Sequence, residues 1–183
     1  KITGFTSATV VAATVEDDFD NTNAVSTWKL GAFSDTTGHP SCVSFFEQRL
    51  VFAGTTNEPQ TLYFSKSGDY ENMTAGTNAD DAMIYTIASN QVNRIRYLKA
   101  QRTLIVGTTG GEFTVSADGT DAAITPSNIV IKKQSSYGTA NVDAIAAGNA
   151  VLFLQKAKRK IRELSYNFDT DGYVAPDLTI LND

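Results

Sequence analysis

The chain has 183 residues, of which 42% are hydrophobic and 19% charged, with a net charge of −5 and a pI of about 4.8. These values describe a chain able to bury a core and exclude the global basic footprint of a nucleic-acid-binding domain. A single cysteine, Cys42, excludes an internal disulfide framework and a Cys-cluster zinc site, and no apolar run reaches the roughly 18–20 residues of a membrane-spanning helix.

In chain order, residues 1–36 stand apart. The first residue is Lys1 and no leader-like start follows, so a piece of a longer chain is expected. ITGFTSATVVAATVED reads as two strands with a turn near Ser7 and Ala8, the end of a preceding small β-domain. The polar run DDFDNTNA and then STWKLGAF form a connector, in which Trp28 is expected to anchor on the first repeat or to sit at a partner interface.

From residue 37 onward the apolar runs are short, rich in Val, Ile, Thr, Phe and Tyr, and separated by Gly, Asn, Asp and Ser, which is strand-and-turn chemistry. RLVFAGTTNEPQTLYFSKSGDY, RTLIVGTTGGEFTVSADG and AVLFLQKAKRKIRELSYNFDTDGY share one order: strand, turn, strand, Gly/Asp break. A shorter segment precedes each (CVSFFEQ, RIRYLKAQ, VDAIAAGN) and a fourth apolar run follows (AMIYTIAS, NIVIKKQS, DLTILND). The predicted units cover about 40–91, 92–138 and 139–183, a period of roughly 45–50 residues, which is the length of a four-stranded propeller blade. The expected fold is therefore all-β, with propeller-like four-stranded antiparallel repeats over 37–183. A β-sandwich built from regular meanders is the alternative. Three blades do not close a ring, since propellers have about four to eight.

Few residues invite chemistry. His39, the only histidine, lies in the turn TTGHPS, and there is no GxSxG elbow to pair with it. The carboxylates Glu16, Asp17, Asp18 and Asp20, and Asp80 with Asp81, read as solvated loops unless two of them face one cleft. In NFDTDGY, Asn167, Asp169 and Asp171 match the first half of a calcium loop, but the closing position falls on Leu178, which offers no oxygen; an Asx-rich turn is the competing reading. GTTGGEF lacks the lysine and helix of a phosphate loop. Lys156, Lys158, Arg159, Lys160 and Arg162 form a basic tip in QKAKRKIRE, either a solvated turn or a contact for an acidic partner or nucleic-acid phosphates. Arg49 and Arg102 open corresponding strands, where salt bridges are expected. Cys42, in the alternation SCVSFF, reads as a buried small hydrophobe. No catalytic residue and no cofactor is expected.

Several segments carry a family likeness. WKLGAFSDTTGHPSCVSFFEQRLVFAGT (Trp28 to Thr55), PQTLYFSKSGDYENM, TLIVGTTGGEFTVS with the following ITPSNI, QSSYGT and DGYVAPDLTIL resemble tail proteins of short-tailed bacteriophages and related prophages. ITGFTSATVVAATV fits the lead-in of that family. The resemblance covers nearly the whole chain and is similar to the tail-tube or nozzle proteins, which form rings below the portal and carry propeller-like modules. It implies a non-enzymatic virion component that assembles with copies of itself and with other tail or portal-adaptor proteins, lines a path for DNA and is made in the host cytoplasm. A carbohydrate- or receptor-binding propeller module is the alternative function, and a carboxylate-based glycan hydrolase ranks behind it.

Overall fold

Short β-branched and aromatic runs cut by Gly, Asn and Asp form strands joined by tight turns. The computed structural model describes residues 2–7, 9–14, 32–89, 92–119 and 122–180, and among these there is no helix. The chain divides into two compact units, Lys1–Gly31 and Ala32–Asp183. In the first, β1 (Ile2–Ser7) and β2 (Val10–Ala13) pair antiparallel, Ile2 opposite Ala13 and Ser7 opposite Val10. Trp28 and the acidic run at Glu16 to Asp20 lie outside the described residues.

The second unit holds three four-stranded antiparallel sheets, each an up-and-down meander in sequence order. Blade 1 is β3 (Cys42–Phe46), β4 (Arg49–Ala53), β5 (Thr61–Phe64) and β6 (Met83–Thr86). Blade 2 is β7 (Ile95–Ala100), β8 (Leu104–Thr108), β9 (Gly111–Ala117) and β10 (Ile129–Ser135). Blade 3 is β11 (Ile145–Ala147), β12 (Ala150–Leu154), β13 (Ile161–Asn167) and β14 (Gly172–Val174). The all-β class and the four-stranded repeats expected from the sequence are present. The sheets form an open stack and not a closed ring.

One expected strand is displaced. DLTILND reads as the fourth strand of the third unit, yet β14 is Gly172–Val174. The chain turns early because Asn167 Oδ1 accepts from the Thr170 amide (3.1 Å) and Asp171 adopts a left-handed φ of 45°, closing a tight hairpin from β13. Pro176, which has no amide hydrogen, interrupts the edge, and pairing resumes only as an isolated bridge between Asp177 and Arg162.

Two cores separate the three blades. The larger fills the space between blades 1 and 2, with Val51, Leu62, Phe64 and Met83 against Ile95, Leu104, Val106, Phe113 and Val115. The smaller sets Tyr97 and Ile105 of blade 2 against Val151, Phe153 and Leu164 of blade 3. Strand β8 shows the rule directly: Leu104 and Val106 enter the first core and Ile105, between them, the second. In β7 the pairing register shifts between Ile95 and Tyr97, so Ile95 and Leu98 both reach the first core while Tyr97 reaches the second.

Two residues hold this frame in place. Gly107 lies opposite Tyr97 across β7 and β8, and a methyl group on it would come within 2.0 Å of Cε1 of the Tyr97 ring. Arg49, expected to make a salt bridge, instead buries its guanidinium and donates to backbone carbonyls. Nη1 reaches Ser65 (2.8 Å), Asp81 (2.7 Å) and Asp80 (3.3 Å), and Nη2 reaches Ala79 (2.7 Å). Burial holds its pKa below the ordinary value, partly offset by the nearby Asp80, Glu47 and Asp81. The fork of an arginine suits this task, since it satisfies several carbonyls of the long β5–β6 loop from one stem.

Gly107→Ala is expected to cost about 1–3 kcal/mol, because the added methyl must displace the buried Tyr97 ring; denaturant unfolding measures it, and paired with Tyr97→Ala the losses should be less than additive. Arg49→Met is expected to cost at least about 2 kcal/mol by leaving buried carbonyls without donors. It should also expose the segment between Ser67 and Asp80 to limited proteolysis.

Candidate functional site: open blade faces and a polar groove

Blade 2 is covered on both faces, whereas blades 1 and 3 each have one face that no other blade covers. On blade 1 that face carries Val43 and Phe45, 59% and 60% exposed, with Leu50, Phe52 and Ile84 beside them. The register places these side chains together: Val43 lies opposite Phe52, Phe45 opposite Leu50, and Tyr63 opposite both Phe52 and Ile84. Phe33 covers one corner, its ring edge-on to Phe52 (5.4 Å) and Tyr63 (5.0 Å). Burial and the bond from its hydroxyl to Glu58 Oε2 (2.8 Å) push the Tyr63 phenol up to about 12. On blade 3 the open face carries Ile145, 67% exposed, opposite Leu152, and Ile161, 43% exposed, opposite Leu154.

The joint between blades 2 and 3 is more polar than the first. Lys99 pairs with Asp143 (2.7 Å), Arg96 donates to Asn141 Oδ1 (2.9 Å), and Gln101 donates to the carbonyls of Gly148 and Ala150. Glu112 is fully buried here. The Ser135 hydroxyl donates to its Oε2, while its Oε1 and the buried Tyr97 hydroxyl find no protein partner among the described residues. Burial pushes the Glu112 carboxyl up, against the lowering effect of Ser135, the backbone of Gly138 and Tyr137, and Arg162. Burial first, and then the charge of Glu112, also raises the Tyr97 phenol.

The five cations of QKAKRKIRE do not share one surface. Arg162 is buried in β13, where Nη1 donates to the Ala175 carbonyl (2.7 Å) and Nε to Gln155 Oε1 (2.9 Å), with the guanidinium 3.4 Å above the Tyr137 ring. Lys160 pairs with Asp177 (2.8 Å), and this contact leads the causes that bring the Asp177 carboxyl down to about 2. Lys156, Lys158 and Arg159 remain exposed at the hairpin tip. The loop residues of NFDTDGY satisfy one another: Asn167 caps Thr170, and Asp171 Oδ1 accepts from the Tyr166 hydroxyl (2.6 Å). Asp169 is exposed, and no group of three or more His, Cys, Asp or Glu side chains that could hold a metal occurs among the described residues. His39 makes an exposed pair with Asp35 (3.2 Å). Cys42 is buried, and desolvation raises its thiol.

A groove of about 750 Å³ runs across all three repeats. The β6 exit contributes Ser89, blade 2 contributes Asn93 and Lys133, the following loop Tyr137, and blade 3 Lys156. Tyr137 is one of four tyrosines, with Tyr63, Tyr70 and Tyr85, that the sequence offers for a carbohydrate-binding surface, but nothing in the sequence singled out Lys133, because only the stacking of blades brings residues so far apart in the chain into one lining. Gly110 of GTTGG, read in the sequence only as no phosphate cradle, lies in the lining with Asn93 over it, and next to it Gly111 is overlain by the Ser135 carbonyl and the Lys133 stem. No protein-family model matches the chain, and no curated protein matches it.

Glu112→Gln tests the buried carboxyl. A carboxyl whose folded pKa is raised carries no penalty below the ordinary glutamate value, and the penalty grows as pH rises from there to the folded value. Glu112→Gln is therefore expected to gain stability over the parent as pH rises through that window and to match it in acid. Thermal unfolding from pH 4 to 8 measures the crossing.

Proposed function

We propose that the chain is a non-enzymatic structural part of a bacteriophage tail, belonging to a nozzle or tail-tube ring through which DNA passes and to which other tail parts attach. The observation that supports this reading most is the pair of open apolar faces at the two ends of a blade stack whose middle member is covered on both sides. Such faces are more apolar than solvent-facing sheet surfaces normally are, and they suit further protein. They differ from each other, aromatic at Phe45 and Phe52 but aliphatic at Ile145, Leu152 and Ile161, so contact between copies is heterologous, the geometry that generates rings. The segments resembling short-tailed phage proteins supply the setting: a virion, copies of the same chain, and portal-adaptor or tail partners. A net charge of −5 suits a wall that DNA slides past without sticking. Lys158 and Arg159, exposed at the hairpin tip, then face an acidic patch on a neighbouring subunit.

Light scattering over a concentration series tests assembly. A discrete oligomer is expected, and Phe45→Lys or Ile145→Lys should each shift it to monomer without lowering the unfolding temperature. Joint charge reversal of Lys158 and Arg159 should weaken the oligomer more at low salt than at high salt. A monomer at every concentration, or an oligomer indifferent to both faces, overturns the reading.

A further inference from the structure

We propose that the groove across the three repeats is a binding site for an anionic saccharide, with Lys133 and Lys156 receiving its carboxylates. The inference does not rest on the tail-component reading, since it concerns different residues from the open blade faces.

Charge selects the ligand class. The chain carries 20 acidic and 15 basic residues, yet among the described residues this lining holds two lysines and no carboxylate. Neither lysine has an ion-pair partner among the described residues, whereas Lys66, Lys99 and Lys160 each have one. The two are also placed by the backbone. The Lys133 stem lies across Gly111, where a side-chain methyl would come within 2.5 Å of the Ser135 carbonyl oxygen and 2.8 Å of the lysine Cε, so the bare glycine lets the end of β10 and this stem approach the β8–β9 turn. The Lys156 amide donates to the Gly138 carbonyl (2.9 Å), which fixes the root of the blade 3 hairpin beside the groove.

The remaining lining suits hydroxyl-bearing rings. Asn93 is buried, its amide Nδ2 donating to the Ser89 hydroxyl (3.1 Å), and it presents a fixed amide at the groove floor. Tyr137 is held from one side by the Arg162 guanidinium and stays 43% exposed, an aromatic surface of the kind that packs on the apolar side of a sugar. The volume lies within the roughly 300–1,000 Å³ of small-molecule sites, far more than a lone phosphate or sulfate fills. Nucleic acid fits less well, because phosphate binding draws on a long basic track and here an acidic chain offers two cations with few aromatic platforms.

Titration of the ¹⁵N-labelled full chain followed by NMR tests the site, with trigalacturonate as the probe, maltotriose as the neutral control and a duplex DNA dodecamer as the nucleic-acid control. Trigalacturonate is expected to give saturable shifts at Asn93, Gly110, Ser136 and Lys156. Lys133→Gln combined with Lys156→Gln should weaken it about tenfold or more, as expected for losing charge-assisted contacts, with the unfolding temperature unchanged because both side chains are exposed. Maltotriose should not saturate. Equal binding of maltotriose, tighter binding of the DNA duplex at these residues, indifference to the double substitution, or no saturable shift with any probe overturns the proposal. Loss of oligomerisation in the end-face variants leaves these shifts unchanged if the two sites are separate.

Discussion

A four-stranded blade with apolar side chains on both faces cannot bury itself; it must be stacked. In β8 three successive residues, Leu104, Ile105 and Val106, are completely buried although they alternate between two different cores. Only a sheet covered on both sides accommodates such a strand. Much else follows from that constraint. The bulge in β7 re-aims Ile95 and Leu98 so that both face blade 1, and Gly107 leaves the space in which Tyr97 lies toward blade 3. Where the stack stops, the same chemistry leaves two faces that no other blade covers.

Stacking brings loops over the ends of the blades, and their backbone carbonyls must find donors away from water. Two arginines meet this need in different places. Arg49, at the start of β4, collects the carbonyls of Ser65, Ala79, Asp80 and Asp81, while Arg162, in β13, holds Ala175 and lies flat on Tyr137. Both are spent inside the protein and offer nothing to a partner. Glu47 acts similarly across the first seam. It and Gln48 form the β3–β4 turn with left-handed φ values of 46° and 58°, and its carboxylate accepts from the Ile124 amide of blade 2 (2.6 Å). A strained two-residue turn without glycine is tolerated there because its side chain ties one blade to the next.

The second joint holds fewer large aliphatic side chains and relies on ion pairs, amides and a buried carboxyl. The polar groove instead crosses all three repeats, with Thr86 and Ser89 from the end and exit of β6, Asn93 and Lys133 from the middle of the chain, and Tyr137 and Lys156 from its later part. The surfaces proposed for assembly and for ligand binding thus draw on separate parts of one architecture. The flat apolar faces lie at the ends of the stack, and the concave polar surface lies along its seams.

Residue order alone determined the strand chemistry and its repetition. Runs such as LVFAG, LIVG and VLFL, each followed by a turn and a second run, made four-stranded repeats legible because side-chain alternation and turn preference act over a few residues. Gly148 and Asn149 make the turn between β11 and β12 for the same reason. The tertiary structure alone decided which polar residues are free. Arg162 and Lys158 stand four positions apart in one basic stretch, yet one is buried on an aromatic ring and the other lies in solvent. Glu112 sits in a strand with no local sign that both its faces are covered. Early closure of the last hairpin, which displaced the expected strand at DLTILND, depends on side-chain bonds within NFDTDGY and on Pro176 at the edge. Local preference writes the elements, but burial, pairing of charges and the convergence of distant loops are set by which blade face meets which, and that information is spread over the whole chain.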